Sequence, residues 1–136
     1  MIKTTLDLVA FGPVIPVIVL QRVEHAVPMA RALVAGGVRV LEVTLRTPAA
    51  LACIEAIARQ VPEAVLGAGT LRTADDVHAA KSAGCVFGVS PGYTSAMGQT
   101  CMAAGTLPEA PLMRPSVTSA TLNPLPCNTA KGGVNL

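Results

Sequence analysis

Four short aliphatic runs recur along the chain, and a segment with helical periodicity separates each run from the next. Successive runs begin roughly 20–25 residues apart, which is the length that a strand, a helix and two short loops require. This repeat predicts a parallel β-sheet whose strands alternate with helices. The runs cover residues 13–20 (PVIPVIVL), 38–45 (VRVLEVTL), 64–69 (AVLGAG) and 85–90 (CVFGVS).

The composition agrees with that architecture, since 51% of the 136 residues are hydrophobic but only 2% are aromatic. The hydrophobic fraction excludes an intrinsically disordered chain, and the length suits one domain. An almost purely aliphatic core is typical of parallel sheets that are covered on both faces. A net charge of +2 without any run of Lys or Arg argues against a nucleic-acid or membrane-surface partner.

Capping signals delimit three helices between and after these runs. The first helix carries an apolar stripe at Val23, Val27, Ala30 and Val34 and ends at Gly36-Gly37. The second starts with Thr47 as N-cap and Pro48 at its first position, and its stripe is Leu51, Ile54 and Ile57. The third starts at Thr73, with Asp76 as a capping-box partner, and ends at Gly84.

The apolar stretch at residues 8–20 has the composition of a secretory signal and so needs a separate interpretation. Pro13 and Pro16 interrupt it, Gln21 and Arg22 end it, and no small-residue cleavage site follows. It is also too short to span a bilayer. We therefore expect a leading segment followed by a buried strand.

The cysteines and histidines do not have metal-ligand spacing, because no two cysteines form a C-x-x-C pair and neither histidine completes a cluster. We therefore predict neither a zinc site nor a disulfide, and expect reduced, mostly buried thiols in a cytoplasmic protein. The residues concerned are Cys53, Cys85, Cys101, Cys127, His25 and His78.

Polar residues gather where the predicted strands end. Side chains alternate along a strand, so Glu42, Thr44 and Arg46 share one face, and the intervening aliphatic residues face the helices. Thr70 follows the third run and Pro91 follows the fourth. Since parallel strands end at one edge of a sheet, these residues predict a site at the C-terminal mouth of a curled sheet.

Structural interpretations of the same residues remain open at this point. Glu42 fits an internal ion pair with Arg31, Arg39 or Arg46 about as well as a catalytic role. Arg46 also fits a solvated loop charge, and the GAGT at residues 67–70 also fits a tight turn. This motif lacks the third glycine of a dinucleotide-binding loop, so such a loop is not expected.

Several segments together resemble one enzyme family, the bacterial 2-keto-3-deoxy-6-phosphogluconate (KDPG) aldolases, which also act as 4-hydroxy-2-oxoglutarate aldolases. They are PVIPVIVL, EHAVPMARALVAGGVRVLEVTLRTP, VPEAVLGAGT and GVSPGYT, in unbroken register over residues 12–94. The resemblance implies a (β/α)8 TIM barrel, a homotrimer, no metal or other cofactor, and a small keto-acid or sugar-acid phosphate substrate. It also implies a Schiff-base mechanism, in which a lysine condenses with the substrate's keto group.

The resemblance also implies roles for four residues at the strand ends. Glu42 matches the family's proton-shuttling acid/base, and Arg46 and Thr70 match residues that bind the pyruvyl carboxylate. Pro91 matches a residue that lines the pocket. The reaction implied is cleavage of 2-dehydro-3-deoxy-6-phosphogluconate to pyruvate and glyceraldehyde 3-phosphate.

The sequence departs from the family where the Schiff-base lysine is expected. Aligning Pro126 and the glycines at 132–133 with the family places Asn123 at that position, and an amide cannot form the imine. Lys131 lies beyond the matching strand and Lys81 lies on the third predicted helix, so neither is well placed. We therefore expect this chain to be inactive as an aldolase.

The chain from about residue 106 onward also departs from the family, with prolines too dense for a central strand, although TAKGGVNL at residues 129–136 matches again. Compensating frameshifts in the gene would explain this, and resequencing tests it. We expect a single incomplete barrel domain, 1–136, of about four βα units with an irregular tail at 106–136. A non-enzymatic half-barrel module and a phosphosugar barrel enzyme are the alternatives.

Overall fold

The chain forms a four-stranded parallel sheet, seen in a computed structural model that describes residues 5–92 and 94–103. The strands lie side by side in chain order, and each pairs in parallel with the next. The predicted alternation of strands and helices is therefore confirmed. The strands are β1 (Val17–Ile18), β2 (Val40–Thr44), β3 (Val65–Gly69) and β4 (Phe87–Gly88).

Helices precede the sheet and connect its strands. A short 3₁₀ turn at Val23–His25 leads into the first connecting helix. The helices are α1 (Thr5–Val9), α2 (Ala26–Ala35), α3 (Ala50–Gln60), α4 (Ala74–Ser82) and α5 (Ser95–Ala103).

The caps of α2 and α4 are those that the sequence predicts. At the start of α4, the backbone N–H of Asp76 donates to Thr73 Oγ1 at 3.1 Å, and the N–H of Thr73 donates to Asp76 Oδ2 at 3.0 Å. These bonds satisfy two N–H groups that the first helical turn leaves free. Gly37 and Gly84 follow the ends of α2 and α4 with φ of 87° and 105°, a conformation that glycine adopts without steric cost.

The predicted start of α3 is wrong by two residues, because the helix begins at Ala50 rather than at Pro48. The hydroxyl of Thr47 does not cap the helix but donates to the carbonyl oxygen of Leu20. Leu51 of the predicted apolar stripe is 37% exposed. The core residues of α3 include Cys53, Ile54 and Ile57.

The first aliphatic run is only partly the buried strand that we predicted, because two residues of it pair as β1. Ile15 and Leu20 are buried, but Val17 and Val19 are 45% and 48% exposed. β1 lies at the edge of the described sheet and pairs on one side with β2. No other described strand pairs with the free edge of β1.

The core lies between the sheet and its helices. Leu41 and Val43 of β2 are fully buried and belong to one cluster with Ile54 and Ile57 of α3. At the amino end of β2, the Arg39 guanidinium lies 5.3 Å from the centre of the Phe11 ring. The segment after α1 therefore packs at this end of the sheet, which leaves the carboxyl ends for the polar residues.

No helix within residues 5–92 and 94–103 is long and apolar enough to cross a membrane.

Candidate active site

The predicted site residues lie at or beyond the carboxyl ends of three adjacent strands. Glu42 is on β2, Arg46 follows β2 by two residues, and Thr70 comes directly after β3. Pro91 is exposed in the turn after β4, where Ser90 Oγ donates to the carbonyl oxygen of Gly92. Because the strands are parallel, these residues lie along one edge of the sheet.

Arg46 and Thr70 are in direct contact, although 24 residues separate them in the sequence. Arg46 Nε donates to Thr70 Oγ1 at 3.1 Å. The register of the sheet explains this contact, since Thr44 pairs with Gly69 and the segments that follow β2 and β3 therefore begin side by side. The bond orients the guanidinium, and its two terminal nitrogens still carry N–H groups that can bind a carboxylate.

Thr70 has a φ of +65°, and it is the only non-glycine residue with positive φ in the described part of the chain. A β-branched residue in this conformation costs on the order of 1–3 kcal/mol, so the surrounding structure must hold it. Hydrogen bonds on both sides do so. The carbonyl oxygen of Gly69 accepts from Leu45 N at 2.9 Å, and Leu71 N donates to the carbonyl oxygen of Val89 at 3.0 Å.

Glu42 is only 5% exposed, which is exceptional for a carboxylic acid. Its carboxyl group lies against the backbone of Gly69 on the neighbouring strand. Burial raises the pKa of Glu42 from 4.5 to about 7, and the positive charge of Arg46 partly opposes that rise. A carboxyl group with a pKa near neutrality can both accept and donate a proton at physiological pH, as a general acid/base requires.

The structure does not support the alternative of an internal ion pair for Glu42. No Lys or Arg nitrogen of the described residues lies within 4.0 Å of its carboxylate. Arg39 Nε instead donates to the carbonyl oxygen of Glu63 at 3.2 Å, at the opposite end of β2. Arg31 is exposed on α2, and Arg46 is bonded to Thr70.

Two threonines have structural contacts at the site that the sequence did not reveal. Thr44 is 1% exposed and donates its hydroxyl to the carbonyl oxygen of Ile18 at 3.2 Å. Thr47 donates to the carbonyl oxygen of Leu20 in the same way. Both bonds satisfy carbonyls of the first aliphatic run and attach its carboxyl end to the loop that carries Arg46. Alternation placed Thr44 on the site face, but no sequence signal pointed to its partner.

Metal-binding side chains do not cluster in the part of the chain that the structure covers, where no group of three or more His, Cys, Asp or Glu could hold an ion. Cys53, Cys85 and Cys101 are buried, as predicted, and burial raises the pKa of the Cys85 thiol to about 12. Cys127 lies outside the described residues.

A groove of about 380 Å³ lies between the C-terminal ends of α2 and α3, at the end of the sheet opposite Glu42.

No lysine of the described residues lies at the candidate site as a nucleophile. Lys81 is exposed on α4, the helix that leads from β3 to β4. Asn123 and Lys131 lie outside the described residues, so the predicted loss of the Schiff-base lysine stays a prediction from the sequence.

Four parallel βα units, with a buried carboxyl and a guanidinium near their carboxyl ends, and the likeness to the solved structures described below assign the protein to the (β/α)8 barrel class. The family model for KDPG and KHG aldolase matches residues 7–120. This chain belongs to the KDPG and KHG aldolase family.

Characterised relatives agree in sequence. The chain is 54% identical over 100 residues to the KHG/KDPG aldolase of Escherichia coli strain K12, covering 74% of this chain and 46% of that protein. It is 56% identical over 89 residues to the 2-dehydro-3-deoxy-phosphogluconate aldolase of Pseudoalteromonas atlantica, covering 65% of this chain and 41% of that protein. The chain therefore spans about half the length of the curated relatives it matches.

Solved structures agree in fold. The KDPG aldolase of Zymomonas mobilis, crystallised with 3-phosphoglycerate, superposes with a TM-score of 0.72 at 42% identity, covering 88% of this chain and 56% of that one. The KDPG aldolase of Legionella pneumophila superposes with a TM-score of 0.67 at 43% identity, covering 83% of this chain and 52% of that one. The Legionella structure holds pyruvate as a covalent carbinolamine intermediate.

Proposed function

We propose that this chain carries the acid/base and keto-acid-binding part of a class I aldolase site. The reaction of that site is the cleavage of 2-dehydro-3-deoxy-6-phosphogluconate to pyruvate and glyceraldehyde 3-phosphate. The observation that carries the proposal is the buried Glu42 carboxyl, with a pKa of about 7, at the strand edge that also holds Arg46 and Thr70. The pyruvate bound covalently in the Legionella relative supports the keto-acid substrate class.

Arg46 is the proposed anchor for the carboxylate of the keto acid. Its Nε is occupied by Thr70 Oγ1, so the terminal nitrogens are the donors left for a bidentate pair with a carboxylate. A second role of the Thr70 contact is to limit the rotamers of Arg46 before the ligand binds, which reduces the entropy lost on binding. Pro91 forms part of the proposed pocket wall beyond β4.

Glu42 is the proposed proton shuttle. In a class I reaction a lysine amine adds to the keto carbon, water leaves, and an iminium ion forms. The C3–C4 bond then breaks and its electron pair moves into the iminium, while the C4 hydroxyl gives its proton to a base. The resulting enamine takes a proton at C3, and hydrolysis releases pyruvate. A single carboxyl with a pKa of about 7 can take the first proton and return the second.

The lysine step is where this chain is proposed to differ from its relatives. Asn123 stands where the resemblance expects the lysine, and its amide is not nucleophilic enough to form an imine. We therefore propose that this chain binds a keto acid without cleaving it. The rest of the proposal is a single cytoplasmic domain, of a family whose resemblance implies homotrimers, that has neither a nucleic-acid nor a membrane partner.

Borohydride reduction in the presence of pyruvate tests the lysine step, with intact-protein mass spectrometry as the readout. We expect no pyruvate adduct on this chain. A reduced adduct on any lysine, lost on mutation of that lysine alone, would show that the chain has a competent nucleophile and would overturn the proposed inactivity.

Pyruvate binding tests the retained half of the site and is measured by the line broadening of ¹³C-pyruvate signals in NMR. We expect binding to the unmodified chain and its loss in Arg46→Met. The control is Arg59→Met, which changes an exposed arginine on α3 that pairs with Glu55 at 3.6 Å. Equal binding by both variants, or none by the unmodified chain, contradicts the proposed role of Arg46.

A non-enzymatic module that pairs with another subunit is the second candidate. The half-exposed Val17 of the edge strand β1 and the half-exposed Val19 just beyond it favour this candidate, because exposed edge strands with apolar side chains tend to associate. Sedimentation tests it: Val17→Thr with Val19→Thr should weaken association if the chain pairs through this edge, and an association that the two substitutions leave unchanged contradicts this candidate.

A further inference from the structure

The two glycines of β3 face the same side of the sheet as Glu42. Gly67 and Gly69 are two residues apart on one strand, and they pair in register with Glu42 and Thr44 of β2. Paired residues of parallel strands point to the same side, so a side chain at either glycine would project beside Glu42. Glu42 starts opposite Gly67 and its carboxyl ends at Gly69, so its side chain leans toward the carboxyl end of the strands.

At Gly69, glycine is needed for space and not for backbone conformation. A Cβ added there would lie 2.9 Å from Glu42 Cδ and 3.1 Å from Cγ, and closer still to Oε1. All of these atoms are nearer than a relaxed contact of about 3.5–4.0 Å. Gly69 does not have a positive φ, so alanine could adopt its backbone conformation. The carboxyl group of Glu42 therefore occupies the space of a missing side chain.

At Gly67, the ring of Phe87 occupies the space that a side chain on residue 67 would need. A Cβ added to Gly67 would lie 2.5 Å from Phe87 Cε1 and would meet other ring atoms as well. Phe87 is fully buried, and it pairs with Gly67 in the register of β3 and β4. The ring thus lies over the register partner of Glu42 and contributes apolar cover on this side of the sheet.

We propose that Gly69 is a positioning residue for Glu42, because it lets the carboxyl group lie flat against β3 at the strand end. A methyl group at residue 69 has to push the carboxyl away by about 1 Å to reach normal contact. The carboxyl would then leave the buried position against β3 in which its pKa is raised. The importance of this position for catalysis rests on the proposed function, since a displacement of about 1 Å can cost on the order of 100-fold in rate. The positioning itself does not rest on it.

The first test measures the titration of Glu42 in the 136-residue chain by ¹³C NMR of its side-chain carboxyl, assigned with Glu42→Gln. Arg46 is the charged group that acts on Glu42 among the described residues, and it is unchanged in the variant. In Gly69→Ala we expect the pKa of Glu42 to fall by about 1 or more, because the displaced carboxyl is better hydrated. The control is Gly36→Ala at the end of α2, where an added methyl would lie 3.4 Å from backbone oxygens. An unchanged Glu42 titration in Gly69→Ala overturns the proposal.

The second test separates crowding by Glu42 from any other need for glycine. We expect Gly69→Ala to lower the melting temperature by roughly 3–6 °C in the natural chain and to have no such effect in a Glu42→Ala background. If Gly69→Ala fails to fold, folding of the double variant supports the proposal and its failure overturns it. The same drop in melting temperature in both backgrounds also overturns it.

These results do not depend on whether the chain is an aldolase. A displaced Glu42 titration in a chain that never binds pyruvate supports the role of Gly69 and contradicts the proposed function. Conversely, pyruvate binding that requires Arg46, together with an undisturbed Glu42 in Gly69→Ala, supports the function and contradicts the role of Gly69.

Discussion

Replacing Glu42 with glutamine should remove a large pH dependence from the folding stability of this protein. Burial raises the pKa of Glu42 from 4.5 to about 7, so the folded chain holds this proton more tightly than the unfolded chain does. The protonated carboxyl therefore stabilises the fold below about pH 4.5, and this contribution is lost as the pH rises through 7. At 1.36 kcal/mol per pKa unit, the rise corresponds to at most about 3 kcal/mol of unfolding free energy.

Glutamine is the suitable replacement because it has nearly the shape of the protonated acid and cannot ionise. We expect Glu42→Gln and the natural chain to have similar unfolding free energies at pH 5. At pH 8 the variant should be more stable by about 2–3 kcal/mol, because its folded state no longer holds a buried charge. The measurement is urea unfolding followed by circular dichroism between pH 5 and 8.5.

Two features of the chain make the comparison specific. The exposed His25 and His78 are present in both proteins, so their contributions cancel in the difference. Glu63→Gln changes an exposed carboxylate and is the control. A constant difference between Glu42→Gln and the natural chain from pH 5 to 8.5 would refute the inference that Glu42 is buried with a raised pKa.

Two further substitutions test local contacts by thermal unfolding. Thr44→Val keeps the shape of this buried side chain but leaves the partly buried carbonyl of Ile18 without its hydroxyl partner, so we expect a loss of about 1–2 kcal/mol; an unchanged melting temperature contradicts this bond. Asp76→Ala removes the capping box with Thr73 and should cost about 1 kcal/mol at pH 7, whereas Asp75→Ala, in the same turn, should cost much less. Hydrogen bonds to the Asp76 carboxylate lower its pKa, so its contribution is present at neutral pH and is lost in acid; equal effects of the two variants at pH 7 count against the cap.

Much of the fold could be predicted because its signals are local. The spacing of the aliphatic runs was enough for the parallel sheet, and the pair Thr73 and Asp76 was enough for the start of α4. The capping box is a side chain bonding the backbone three positions away, and the spacing of the runs is the length of one strand, one helix and two short loops. A sequence pattern describes such interactions completely.

The prediction of the start of α3 failed because the side chain of Thr47 had two possible hydrogen-bond partners, one nearby in the sequence and one distant. Thr47 has the side chain of an N-cap, but its hydroxyl bonds the carbonyl of Leu20, 27 residues earlier in the chain. That carbonyl lies two residues beyond the edge strand β1, outside the hydrogen bonds of the sheet, so a hydroxyl nearby satisfies it. The exposure of Leu51 has a separate reason, because tertiary packing sets which face of α3 is buried, and that face carries Cys53, Ile54 and Ile57.

At the candidate site, the sequence by itself determined which side of β2 carries Glu42, because alternation along a strand follows from backbone geometry alone. It also determined that Arg46, Thr70 and Pro91 follow strand ends. Only the tertiary structure decided what surrounds Glu42: Gly69 comes from the next strand, and together with burial it gives the carboxyl its position and its raised pKa. Desolvation depends on atoms that are distant in sequence and near in space, so it arises only when β2, β3 and β4 pack together.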